Sequence, residues 1–120
     1  MQLTWYGHAA FRLETADCTI ITDPYNYPLA GGYEPINARA DIVTISHENP
    51  KYHSDTSAIH PPFELLNGLN FLDRPVTARG IAFRACLVYE NPQREGPNAM
   101  IRFNLGGLEV VHMGDVGHPL

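Results

Sequence analysis

Asp41-Ile42-Val43-Thr44-Ile45 is a strand-length run of β-formers without the apolar/polar alternation of a half-covered strand. A run of this kind reads as a strand buried on both faces, which obliges the rest of the chain to cover a sheet from two sides. Other short β-type runs supply partners. Residues 3–6 end at Gly7-His8, residues 11–14 alternate, and residues 18–22 follow after a turn near Ala16-Asp17, making a hairpin that Asp23-Pro24 stops. Residues 24–39 hold three prolines, two glycines and three tyrosines and read as a long irregular loop, a type that is often functional. Residues 63–66, 70–72 and 75–78 are short strand candidates. Residues 81–89 form the longest strand, and 100–104 with 108–112 flank a Leu105-Gly106-Gly107 hairpin turn. One short helix is expected, starting near Ser54 or Asp55 and stopping before Pro61-Pro62.

The 120 residues suit a single domain, 1–120, with 44% apolar and 18% charged residues, a balance that excludes a disordered chain. Net charge is −5, and the eight basic residues are scattered from Arg12 to Arg102, so no basic stripe exists for nucleic acid. No apolar run approaches the roughly 20 residues of a membrane span. No charged segment followed by an apolar one opens the chain, so the expected location is cytoplasmic. Cys18 and Cys86 stand alone in apolar contexts and read as small buried hydrophobes.

Ligand-type residues recur where the β-type runs end. His8 follows the first run, Asp23 the third and His47 the double-sided one, with His53 six residues on; His112, Asp115 and His118 follow the last. Strand ends on one sheet edge can converge into one site, and imidazole with carboxylate is a donor set that zinc and its neighbours accept. Each residue also has a plain structural reading. Asp23 before Pro24 reads as holding its loop through side-chain to backbone bonds, Asp115 in Gly-Asp-x-Gly as a turn-former, and His47 as a loop histidine bonded to backbone. His60 and His112 read as non-ligands.

In order, the segments Trp5-Tyr6-Gly7-His8-Ala9, Ile20-Ile21-Thr22-Asp23-Pro24, Ala40-Asp41 through Ser46-His47, and His112-Met113-Gly114-Asp115-Val116-Gly117-His118 resemble the metallo-β-lactamase superfamily, in particular the branch that includes L-ascorbate-6-phosphate lactonase. The resemblance implies an α+β, mostly β fold: a four-layer αββα sandwich or half of it. It also implies a His-x-His-x-Asp-His metal motif and a bridging Asp, matched by His47 and Asp115. This chain departs from the motif: Asn49 takes the second His position, Lys51 the Asp and Tyr52 the last His, a role that His53 recovers with one inserted residue. The family's further histidine, in the loop after the long central strand, is missing, and Glu90 is the oxygen donor available there.

The resemblance covers the first half of the family fold. Half a sandwich exposes an apolar sheet face and an open edge, so a homodimer is expected to complete it. The expected metal ligands are His47, His53 and Asp115, with His8, Asp23, Asn49, Glu90 and His118 as supporting or further ligands, Lys51 pointing away, and zinc, or else manganese or iron, as the ion. Two functions follow: a metal-dependent hydrolase of reduced capacity acting on a small molecule, or a dimeric binding or scaffold module without metal. A third reading uses Tyr25, Tyr27 and Tyr33 as an aromatic wall for a ligand, against their packing at a dimer face.

Overall fold

A computed structural model describes all of residues 1–120. The chain opens with an antiparallel meander of β1 (Gln2–Gly7), β2 (Ala10–Glu14) and β3 (Thr19–Thr22). A long loop and the short β4 (Ala38–Arg39) lead to β5 (Ile42–Ile45), and a second loop and the short β6 (Ile59–His60) lead to β7 (Glu64–Asn67). The first sheet has the order β1-β2-β3-β5-β7, with β5 parallel to both neighbours. After a 3-10 turn, Gly68–Asn70, the strands β8 (Val76–Ala78), β9 (Ile81–Tyr89), β10 (Pro97–Leu105) and β11 (Leu108–His112) make an antiparallel sheet of order β11-β10-β9-β8.

The lack of alternation in β3 and β5 follows from their position. Side chains alternate between faces along a strand. Ile20 and Ile42 join a core with Phe83, Ala99, Ile101 and Phe103 of the second sheet. Their neighbours Ile21, Val43 and Ile45 pack on the other side against Tyr25, Ile36, Ala40 and Ile59. That outer cover is the 24–41 loop with the β4–β6 pair. Its prolines (Pro24, Pro28, Pro35) oppose a helix there, and no α-helix forms anywhere in the chain. No helix is long and apolar enough to cross a membrane.

Three expectations need correction. The helix near Ser54 does not form. Ser54 Oγ instead accepts the Asn49 N–H (2.9 Å), and Asp55 Oδ1 accepts the Ser57 N–H (2.8 Å), so the would-be caps close turns. Residues 70–72 are not a strand: Asn67 Oδ1 accepts the Leu69 N–H (3.0 Å) and starts the 3-10 turn, whose Gly68 lies so close to Ala99 and Ile101 that a Cβ would come within 2.5 Å of Ala99. Cys18 is buried, but Cys86 is exposed, on the uncovered face of β9. The chain forms both sheets and packs them face to face. What stays open is a groove between β1–β2 and the edge strand β11, lined by Leu3, Phe11, Leu13, Leu108 and Val110.

Candidate metal centre

His47 and His53 both lie in the loop leaving β5, and the Asn49 carbonyl folds that loop. It accepts the N–H groups of Tyr52 (3.2 Å), His53 (2.8 Å) and Ser54 (3.0 Å), while the Asn49 side-chain oxygen accepts Tyr52 N–H at 3.1 Å. Asn49 thus shapes the turn and spends its amide oxygen on backbone. The tight return brings the two imidazoles to a centroid separation of 4.4 Å, both 6% exposed. Asp115 enters from the loop after β11, and donor atoms of His47, His53 and Asp115 lie within 4.8 Å of one another. The Asp115 carboxylate is 55% exposed and 3.7 Å from His53 Nε2.

Beneath them sits Asp23, wholly buried at the end of β3 with φ at 38°. Its carboxylate accepts the Ser46 N–H (2.7 Å), the Ser46 hydroxyl (2.6 Å) and His53 Nδ1 (2.9 Å). These bonds set both imidazole tautomers. A carboxylate only accepts, so His53 Nδ1 carries a proton, and in the neutral ring Nε2 holds the lone pair. The Ser46 hydroxyl gives its one hydrogen to Asp23, so at 2.8 Å from His47 Nδ1 it must accept; His47 Nδ1 carries a proton, and in the neutral ring its Nε2 also holds the lone pair. His47 Nε2 is buried without a hydrogen-bond partner. Glu90 Oε1 lies 3.0 Å away, within ion-pair distance but without hydrogen-bond alignment. A buried imidazole nitrogen without a hydrogen-bond partner, facing a second imidazole and carboxylates, is the donor chemistry a divalent cation needs, so the residues fit a metal.

The Asp115 loop is pinned from the second sheet. Asn98, fully buried on β10, donates to the Met113 carbonyl (2.9 Å) and accepts the Asp115 N–H (3.1 Å), and the adjacent Ala99 N–H reaches the Ser46 carbonyl (2.8 Å). Ser46 and Asn98 escaped the sequence reading. Ser46, as neighbour of the ligand His47, carried a faint signal; Asn98, just after the 91–97 loop and ahead of the expected 100–104 strand, carried none.

The candidates His8 and His118 lie outside the donor group, as do His112 and Lys51, which were expected not to be ligands. His8 has φ 49°, its Nε2 lies 3.2 Å from the Ala30 carbonyl, and its ring packs against Tyr25, Tyr33 and Tyr52. His118 Nε2 accepts the Tyr89 N–H (3.1 Å), which ties the chain end to β9. His112 Nε2 sits 2.9 Å from the Ala9 carbonyl. Lys51 is exposed, with Nζ 5.0 Å from the centre of the Tyr52 ring. Of the tyrosines, Tyr25 is core; burial, followed by the nearby Glu34 charge, raises its phenol pKa above the ordinary value, and its hydroxyl donates to the Glu34 carbonyl at 2.5 Å. Over the centre opens a cavity of about 650 Å³, with Tyr52, His53 and Asp115 on its polar side and Phe11, Val111 and Met113 on its apolar side.

Comparison with known proteins agrees with this architecture. A family model described as a β-lactamase superfamily domain matches residues 2–120. Among curated proteins, a UPF0173 metal-dependent hydrolase of Mesorhizobium japonicum is 57% identical over 58 residues, 46% of this chain and 23% of that protein. One from Pyrobaculum arsenaticum is 42% identical over 52 residues, 41% of this chain and 23% of that protein. A solved protein of Thermotoga maritima, described as a Zn-dependent hydrolase of the metallo-β-lactamase superfamily, superposes with a TM-score of 0.71 at 31% identity, covering 98% of this chain and 51% of its own. A metallo hydrolase from Ignicoccus hospitalis shares the fold at a TM-score of 0.60 and 18% identity, covering 97% of this chain and 61% of its own. The chain therefore spans about half the length of the first of these structures, and its matched segments about a quarter of the curated relatives.

Proposed function

This chain belongs to the β-lactamase superfamily, and from that premise we propose that it carries a metal-dependent hydrolase centre for a small-molecule substrate, with His47, His53 and Asp115 as ligands. One observation carries the reading: Asp23, directly and through Ser46, engages both imidazole Nδ1 atoms, which leaves both Nε2 atoms to the centre and one of them buried without a partner. Two imidazoles with a carboxylate suit zinc, and manganese or iron accept the same donors. When bound, such an ion supplies Lewis acidity and lowers the pKa of water enough for hydrolysis at neutral pH. The chain does the rest. Asp23 fixes ring orientation, Asn98 holds the Asp115 loop, and the exposed Asp115 carboxylate faces the cavity, where it can accept a proton from water or orient it. Phe11, Val111 and Met113 offer an apolar wall to the part of the substrate that does not react.

We further propose that a second copy of the chain closes the groove beside the centre. Its rim exposes Leu3, Leu108 and Val111, and it runs into the cavity through Phe11, Val111 and His112, so a partner seated there would complete the site wall as well as cover apolar surface.

The test is metal content. Protein purified without added metal should hold a near-stoichiometric divalent ion, and His47→Ala should lose it. Hydrolysis of chromogenic ester and phosphoester substrates should stop with chelator and return on adding the ion. The competing reading is a scaffold that keeps the fold without the chemistry, and it draws on Lys51 and Tyr52 standing at motif ligand positions. It predicts no metal above background and the same thermal midpoint with and without chelator.

A further inference from the structure

Glu90 follows the last residue of β9, and its carboxylate is aimed at the centre by its surroundings. Its N–H donates to the carbonyls of Glu95 (3.1 Å) and Gly96 (3.0 Å), which closes the 90–96 loop. Gly96 has φ 67°, and a Cβ there would collide with the Glu90 carboxylate. On the other side Gly117 packs against the Glu90 carbonyl with no room for a Cβ, and its N–H donates to the Tyr89 carbonyl at 2.9 Å. The two glycines wall in Glu90, and its Oε1 ends 3.0 Å from His47 Nε2.

The two atoms are close but not aligned for a hydrogen bond, and His47 Nε2 is buried with no other partner. With Nδ1 engaged by the Ser46 hydroxyl, the neutral His47 ring presents Nε2 as a lone pair, and a carboxylate oxygen also offers lone pairs. One cation can be held by both. Two donors each about 2.1 Å from one ion stand about 3.0–3.4 Å apart across an octahedral or tetrahedral edge. The observed spacing matches the short end of that range.

We propose that Glu90 is a fourth metal ligand, converting the centre to two imidazoles and two carboxylates and shifting its selectivity towards harder ions such as Mn²⁺, relative to a site with a third histidine. This rests on the reading that His47, His53 and Asp115 bind metal at all. The added oxygen donor raises the negative charge around the ion and favours ions that prefer carboxylate, while a nitrogen donor at the same place favours zinc.

The experiment titrates Mn²⁺, followed by the electron paramagnetic resonance of the free ion, and Zn²⁺, followed by competition with a chromogenic chelator, into metal-stripped wild type, Glu90→Gln and Glu90→His. Glu90→Gln should weaken Mn²⁺ binding at least tenfold with its thermal midpoint unchanged, because the carboxylate is partly exposed and the amide is nearly isosteric. Glu90→His should recover Zn²⁺ affinity but not Mn²⁺ affinity. Wild type that binds metal while Glu90→Gln binds both ions equally well overturns this inference alone. Wild type that binds neither ion overturns it together with the reading beneath it.

Discussion

Asp23 decides what the two histidines can do. Replacing one of its oxygens with an amide keeps the size and the Ser46 N–H bond, but puts a donor where His53 Nδ1 and the Ser46 hydroxyl now find an acceptor. In Asp23→Asn, His53 Nδ1 must accept, its proton moves to Nε2, and the lone pair leaves the centre. The protein should stay folded and lose about 10–100-fold in metal affinity, as is usual when a partner that orients a ligand is removed. Calorimetric titration of the variant checks this; affinity equal to wild type would show that the tautomer is not set by Asp23.

The donors hang on the ends of elements, and the turn after β11 is the most tightly fitted. Gly114 has φ 61°, and a Cβ would come within 2.5 Å of both Asn98 Oδ1 and Ser46 Cβ. Those atoms belong to β10 and to the loop after β5, so this turn is the clasp between the two sheets at the centre. Gly114→Ala therefore combines left-handed strain with a collision against buried, hydrogen-bonded groups. A loss of about 1–3 kcal/mol is expected from strain of this kind, read from denaturant midpoints. Gly32, with φ 78° and open space around it, should tolerate the same change better and serves as the control.

Across the whole molecule, the two sheets bury their shared core while β1 and β11 remain edges. Leu3 is 62% exposed and Leu108 55% exposed beside the open groove. If a second copy seats there, sedimentation at micromolar concentration shows twice the chain mass, as expected for an interface at or above the standard of about 1,600 Å². Leu3→Glu should then give a folded monomer, since a change at so exposed a position has little to disturb within one chain. A wild-type protein that sediments as a stable monomer removes the dimer and leaves the metal proposal standing.

The sequence by itself determined the β-rich character, the double-sided β5, the hairpins and the placement of ligand-type residues at strand ends. Alternation, Gly and Pro punctuation and turn chemistry act over a few residues, so they are visible in the order of side chains. Where local signals compete, the reading failed: Ser54 and Asp55 looked like helix caps and closed turns instead, and Cys86 looked buried but faces outward because β9 is covered on one side only. Only the tertiary structure decided which donors meet and which ring nitrogen each histidine turns to the centre. Asp23 reaches His53 across 30 positions of chain, Asn98 clasps a loop from another sheet, and Glu90 comes against His47 from the far side of the sandwich. These contacts depend on how two sheets stack and how proline-broken crossovers travel over them, geometry set by the sum of the packing rather than by any neighbouring residues.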